Sequence, residues 1–369
     1  MTRKGGTVLI TGATGHLGCH TLDRLLEQDS SLEALALVRD PARWSAVAAS
    51  LGRERSARVA PVIGELRSAA LGLSVHARAG VMRATTTVIH LAADTTFSRP
   101  LPEARAINTD GTSHALELAG DCRSLERFVY VSTAFVAGRM TGSVPERDNG
   151  SAAGWVNAYE QSKYEAEALV RESGLPWLIL RPSTVVCEGL DGSVGQFNVV
   201  HRALRLYHHG LAAMMPGSQE SPVDVVTSEY VSDAIARLAL HSDIAGRTVH
   251  LCAGGGALPL GELLDITYDV WAAAPGWRRR SIERPALADA ETYRLFEGAV
   301  EETGDLVLRR VIHSLSHFVP HLALEKRFET RGADALLGHP APRVRDYWRR
   351  MVEYLVATDW GSRPEMVAA

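Results

Sequence analysis

The chain has 369 residues, 46% of them apolar and 22% charged, with a formal net charge of −4; this is the balance of a globular protein and gives no electrostatic footing for nucleic acid. Such a length exceeds one minimal core and suits a larger domain with a smaller partner region. Cys19, Cys122, Cys187 and Cys252 stand far apart with no C-x-x-C pair, so neither a zinc nor a disulfide framework is indicated and they read as reduced, mostly buried thiols.

The N-terminus enters a strand at once, which leaves no room for a signal peptide, and no run of about 18 apolar residues occurs. The expectation is a cytoplasmic protein with no transmembrane segment. Val8, Leu9 and Ile10 form the continuous apolar run of a parallel strand buried on both faces. A glycine-rich turn follows within TVLITGATGHLG, residues 7–18. Gly12, Gly15 and Gly18 give the spacing G-x-x-G-x-x-G, which lets a backbone turn sharply, approach a pyrophosphate and pack a helix closely on the strand. The helix that opens there, carrying Leu17, Leu22, Leu25 and Leu26, offers free N–H groups and a positive dipole end to that phosphate.

Leu32–Val38 reads as the second strand. In dinucleotide sites an acidic residue about 20 positions beyond the glycine loop takes the ribose hydroxyls, whereas a nearby arginine accommodates a 2′-phosphate. Arg39, at the strand's end, therefore favours NADPH, while Asp40 beside it keeps NADH open. Ala57–Ile63 is the third strand, and Gly64-Glu65-Leu66 after it sits where such folds touch the adenine. Thr86–Leu91 is the fourth, running into Ala92 and Ala93, small enough for a cofactor to cross the strand end. A helix over Pro102–Leu118, a fifth strand at Phe128–Ser132 and a sixth at Leu178–Leu180 continue the alternation. The fold class expected is α/β, a Rossmann-type doubly wound parallel sheet.

Beyond Arg181-Pro182 the pattern changes. Glycine-rich Glu188–Gly195 reads as a mobile loop and Phe197–His209 as an amphipathic helix. Val223–Val226 and Thr248–Cys252 read as short strands, and the rest as mainly helical. The division expected is a nucleotide-binding domain over 1–185 and a substrate-binding region over 186–369, with parts of 220–255 returning to the sheet.

Tyr159 and Lys163, in NAYEQSKYEAE, stand four apart in a helical segment and so project from one face. An ammonium near a phenol favours the phenolate and eases loss of its proton. Thr133, ending the fifth strand, is placed to offer a hydroxyl to the same carbonyl oxygen. A surface helix pair fits the Tyr159–Lys163 spacing as well.

The combination decides between them. Thr11-Gly12-Ala13-Thr14-Gly15-His16-Leu17-Gly18, His90-Leu91-Ala92-Ala93, Asn108-Thr109-Asp110-Gly111-Thr112, Val131-Ser132-Thr133-Ala134, Tyr159-x-x-x-Lys163 and Leu180-Arg181-Pro182-Ser183 occur in an order that resembles the extended short-chain dehydrogenase/reductase family, over about residues 7–185. The resemblance implies Tyr159 as general acid/base, Thr133 as the hydroxyl orienting the carbonyl, Lys163 as the ribose-binding group that lowers the tyrosine pKa, and Asn108 as a supporting polar residue. It implies a cofactor bound by Gly12, Thr14, Gly15, His16, Leu17, Gly18, Arg39, Glu65, Leu66, Leu91, Ala92, Ala93, Tyr159 and Lys163, with Pro182, Ser183, Thr184 and Val185 at the nicotinamide end. Within that family the wording is most similar to thioester reductase and fatty acyl-CoA reductase domains, through ALVRD, HLAADTTFSRPLPEARAINTDGT and FVYVSTAFVAG. Pro320-His321-Leu322 with Arg327-Phe328-Glu329 is a less specific likeness. His16, Ala137 and Cys187-Glu188 depart from the usual pattern, the last beside the substrate pocket.

His313, His317 and His321 recur at helical spacing, but Pro320 interrupts them and no carboxylate shares the face, so no metal site is expected there. Arg278–Arg280 and Arg343, Arg345, Arg349 and Arg350 suggest either an acidic acyl carrier protein, a coenzyme A phosphate, or a solvated helical face. The resulting expectation is an NADPH-dependent reductase of an acyl thioester, giving an aldehyde or alcohol. A ketone, hydroxysteroid-like or nucleotide-sugar substrate is the second reading, and a non-catalytic NADPH-binding regulator the third.

Overall fold

Seven parallel strands form the centre of the protein, a computed structural model that describes residues 5–275, 277–280, 282–316 and 319–362. They are β1 (Thr7–Thr11), β2 (Glu33–Val38), β3 (Val59–Ile63), β4 (Thr85–His90), β5 (Arg127–Val131), β6 (Trp177–Pro182) and β7 (Arg247–Leu251). Their order is β3-β2-β1-β4-β5-β6-β7, every neighbouring pair parallel. The chain thus winds outward from β1 in both directions, and the ends of β1 and β4 lie side by side where the order reverses. β7 pairs Arg247–Leu251 against Leu178–Pro182, so a strand from residues beyond 220 closes one edge.

The apolar strand runs are explained by cover on both faces. On one face Leu22, Leu25 and Leu26 of α1 (His16–Gln28) and Trp44, Val47 and Leu51 of α2 (Pro41–Ser56) are buried with Val8, Ile10 and Ala36. α8 (Ser228–Ala239) and α12 (Arg331–Leu337) complete that face with Val231, Ile235, Ala333 and Leu337. On the other face α3 (Val75–Ala84), α5 (Asp110–Gly120) and α6 (Ala158–Glu172) bury Val81, Leu118, Ala166 and Val170 against Leu9, Val88, Phe128 and Ile179.

The helix expected over Pro102–Leu118 is two. α4 (Leu101–Asn108) stops and α5 starts at Thr109, whose hydroxyl donates to the Ser162 carbonyl of α6 at 3.0 Å. A tertiary bond fixes the break, which a periodicity argument cannot see. The segment around 223–226 likewise divides at Asp224. Pro222–Val223 pairs with Leu258–Pro259, and Val225–Thr227 runs parallel to Thr184–Cys187.

A second core gathers α7 (Val199–His208), α9 (Leu260–Ala273), α10 (Ala290–Thr303), α11 (Leu306–Leu315) and α13 (Val344–Ala357) around fully buried Trp271, Tyr347 and Trp348. It is sewn to the sheet domain by Lys326–Phe328, which runs parallel to Gly142–Val144. Among the described residues no helix is long and apolar enough to cross a membrane.

Candidate functional site

The carboxyl ends of β1, β4, β5 and β6 open into a cleft of about 710 Å³, of the size of small-molecule sites. Its floor is the turn from β1 to α1. Gly12 has φ +75°, and a Cβ there would lie 2.8 Å from the Ala92 nitrogen, so glycine is what lets β1 and β4 approach at this point. A Cβ on Gly18 would run into the Gly12 carbonyl oxygen. Gly15 differs: it is exposed, and a Cβ would meet only the Gly12 oxygen at 3.2 Å.

No side chain caps α1 and its first turn carries no acidic residue. Gly15, His16, Leu17 and Gly18 bring this uncapped N-terminus to the lining of the cleft, an arrangement that fits the pyrophosphate of a dinucleotide.

Tyr159 and Lys163 are both buried and both line this cleft, which removes the surface-pair reading. Asn157 starts α6 by accepting from the Glu160 nitrogen at 3.0 Å, which places Tyr159 in the first turn. Its phenol shares a hydrogen bond with the Thr133 hydroxyl, and that hydroxyl also accepts from the Phe135 nitrogen at 3.2 Å. One turn further, Lys163 donates to the Val131 carbonyl at 2.8 Å and lies 4.2 Å from the centroid of the Tyr130 ring.

Burial pushes the Tyr159 phenol above its ordinary value, with the Thr133 hydrogen bond opposing and the Glu160 charge adding to it. Burial also draws Lys163 down to about 7, against the pull of Glu167. Burial thus opposes the lowering of the tyrosine expected from the lysine, whose ammonium donates to a backbone carbonyl.

Asn108 does not line the cleft; it fastens its wall. Its Oδ1 accepts from the Asp94 nitrogen at 2.8 Å, and its Nδ2 donates to the Asp94 carbonyl at 3.0 Å and to Ser162 Oγ at 2.9 Å. Behind it His90 bridges Thr11 Oγ1 at 2.7 Å and Thr112 Oγ1 at 3.1 Å, held neutral by burial near a pKa of about 3. Arg181 forks onto Glu167 at 2.8 and 2.7 Å, a buried bidentate pair that ties α6 to β6.

Of the residues named from the sequence, Gly12, Gly15, His16, Leu17, Gly18, Leu91, Ala93, Thr133, Pro182, Ser183, Thr184 and Val185 line the cleft; Thr14, Ala92, Glu65, Leu66 and Arg39 lie outside its lining. Arg39 is 67% exposed at the end of β2, 3.9 Å from the Glu65 carboxylate. Asp40, its rival in the sequence, accepts from the Ala42 nitrogen at 2.9 Å and is spent as the cap of α2.

Four further residues contribute in ways that the sequence does not signal. Phe97 and Phe135 form an apolar wall, the Phe97 ring centroid 5.4 Å from that of Tyr159. Glu160, fully buried beside Tyr159, pairs with His321 at 2.7 Å, and Lys326 meets the other nitrogen of that ring at 3.3 Å. Glu188 anchors the segment expected to be a mobile loop: its side chain meets His16 and His20, and its backbone N–H donates to the Ser193 carbonyl at 2.7 Å.

Of the three spaced histidines, His317 lies outside the described residues and His321 turns to Glu160. The arginines of α13 are locally engaged. Arg343 pairs with Asp346 at 3.1 Å, Arg349 with Asp269 at 3.8 Å, and Arg345 with Glu262; Arg350 donates to the Leu190 carbonyl at 2.8 Å. The side chains of Arg279 and Arg280 lie outside the described residues.

A family profile described as male sterility protein matches residues 10–235. The nonribosomal peptide synthetase asaC of Aspergillus flavus is 27% identical over 268 residues, 67% of this chain and 26% of that protein. Fatty acyl-CoA reductase 8 of Arabidopsis thaliana is 24% identical over 346 residues, 71% of this chain and 69% of that protein. Among solved structures, the terminal R domain from the myxalamid PKS-NRPS biosynthetic pathway superposes with a TM-score of 0.78 at 24% identity, covering 99% of this chain and 94% of that one. That likeness shows the fold. The chain spans about a quarter of the synthetase it matches.

Proposed function

This chain belongs to the male sterility protein family, and from that premise we propose that it is an NADPH-dependent reductase of acyl thioesters. The observation that carries the reading is one cleft holding the uncapped N-terminus of α1 together with the Tyr159 phenol, the Thr133 hydroxyl and Lys163. A nicotinamide dinucleotide bound there supplies a hydride. The residues of the chain do the rest.

Thr133 and Tyr159 meet the substrate's carbonyl oxygen with two hydroxyls. Burial keeps the phenol protonated, so the proton that the oxygen needs is in place when its charge develops. Lys163 holds the nicotinamide ribose, as the family resemblance implies. With hydride on carbon and proton on oxygen, a thioester becomes a hemithioacetal. Its collapse breaks the C–S bond and releases aldehyde and thiol. Phe97 and Phe135 give the acyl group an apolar wall.

The 2′-phosphate of NADPH falls to Arg39, since Asp40 is occupied as a helix cap. Carrier-bound substrates are supported by two of the relatives, a nonribosomal peptide synthetase and a domain of a PKS-NRPS pathway, and coenzyme A esters by a third, the acyl-CoA reductase. The test is cofactor oxidation measured across acyl-CoA, carrier-bound acyl groups, aldehydes and ketones. Turnover of thioesters with NADPH is expected. Turnover of ketones or sugar nucleotides alone overturns the thioester assignment.

A further inference from the structure

His16 and His20 lie one turn apart on α1 and present Nε2 to one carboxylate. His16 is 3.3 Å from Glu188 Oε1, and His20 is 3.3 Å from Oε2. A charge-assisted N–H···O bond closes to about 2.7–2.9 Å, so neither contact is a good one of that kind. The two contacts reach different oxygens of the carboxylate; a tetrahedral ion with bonds of about 2.0–2.1 Å, by contrast, holds its ligand atoms roughly 3.3–3.4 Å apart, the spacing that His16 and Oε1 already have. All three ligand atoms here fall within 4.8 Å of one another.

The carboxylate is also held from behind, as metal-binding carboxylates are. Ser228 donates to Glu188 Oε2 at 2.5 Å. The Glu188 carbonyl accepts from the Glu229 nitrogen at 2.8 Å at the start of α8. The site is therefore built from three places in the chain.

We propose that His16, His20 and Glu188 bind a borderline divalent transition-metal ion, zinc foremost, which fastens the 188–195 segment to the first turns of α1. Two imidazoles and one carboxylate suit zinc and its neighbours rather than calcium or magnesium, which take oxygen ligands. Three protein ligands leave a fourth position for water.

His20 is the residue on which to test this, because it is 44% exposed and does not line the cofactor cleft. The full chain, stripped with a chelator, is titrated with zinc chloride by calorimetry, with Co²⁺ in parallel to read four-coordinate d–d absorption. Uptake of one ion per chain is expected. His20→Ala should weaken it by about 100-fold and Ser228→Ala by about 10-fold, the scale of ligand and outer-shell losses. Circular dichroism and an NADPH titration check that His20→Ala is folded, and His20→Asn serves where it is not. No uptake by the wild type, or equal uptake by the folded His20 variant, overturns the proposal. The readout is ion binding alone, so its failure and that of the thioester reading are distinguishable.

Discussion

The ammonium of Lys163 donates to the carbonyl of Val131, the last residue of β5, at 2.8 Å. One helix and one strand end are thereby locked together directly beside Thr133. Burial of that ammonium draws its pKa down to about 7, against the Glu167 charge.

In the folded, cofactor-free protein Lys163 loses its proton above about pH 7, whereas in the unfolded chain it keeps it to about 10.4. Unfolding in that window takes up a proton, so the group's contribution makes stability rise with pH. Lys326, lowered by burial to about 8, acts in the same direction, and the comparison is therefore with Lys163→Met. Urea unfolding from about pH 6.5 to about 9.5 should show the wild type gaining on the variant as pH rises. A constant difference would remove the depressed lysine.

Tyr159→Phe keeps the ring and the contact with Phe97 while removing the hydroxyl. Cofactor should still bind, measured by fluorescence titration, and turnover should fall by about 10²-fold or more. Aldehyde reduction should suffer at least as much as thioester reduction, and adding Thr133→Ala should abolish both. Near-normal turnover on every carbonyl tested would place the proton donor elsewhere.

Arg39→Ala should weaken NADPH and spare NADH. The guanidinium is 67% exposed and only loosely paired with Glu65 at 3.9 Å, so it is free to fork onto a 2′-phosphate. Equal losses for both cofactors in titration would end the case for the phosphate.

Gly15, just before α1, and Gly18, in its first turn, should behave differently. Gly15→Val brings a Cβ only to 3.2 Å from the Gly12 oxygen and puts its methyls at the exposed mouth of the cleft, so the protein should fold while cofactor binding is lost. Gly18→Ala drives a methyl into the Gly12 carbonyl oxygen, so the fold itself should lose about 1–3 kcal/mol, the usual cost of overpacking. Thermal melts with and without NADPH separate the cases; matching melts for Gly18→Ala and the wild type would count against the close approach.

The strands and the glycine turn are legible in the sequence because their causes are local. Val8-Leu9-Ile10 is apolar throughout since both faces are covered, and the Tyr159–Lys163 spacing survives because α6 is regular there. What stays hidden depends on residues far apart in the chain. Nothing near Glu188 in the sequence tells of two histidines some 170 positions earlier, nor does anything near Glu160 tell of His321. The break at Thr109 follows from a bond to Ser162. The opposed pull of burial on Tyr159 and Lys163 likewise depends on what encloses them, and spacing carries no record of that.

α1 carries the phosphate-facing turn and packs along α8, where Gln28 donates to Asp233 at 3.0 Å and Arg24 meets Glu229 at 3.0 Å. About two hundred residues lie between the two helices, which at ~5–20 residues per second is on the order of 10–40 s of synthesis on the ribosome. The side of α1 turned toward α8 emerges with its lifelong neighbour still unmade. Within this chain the helix that opens after the glycine turn is thus made long before α8, and until α8 follows that side of it stays open to water.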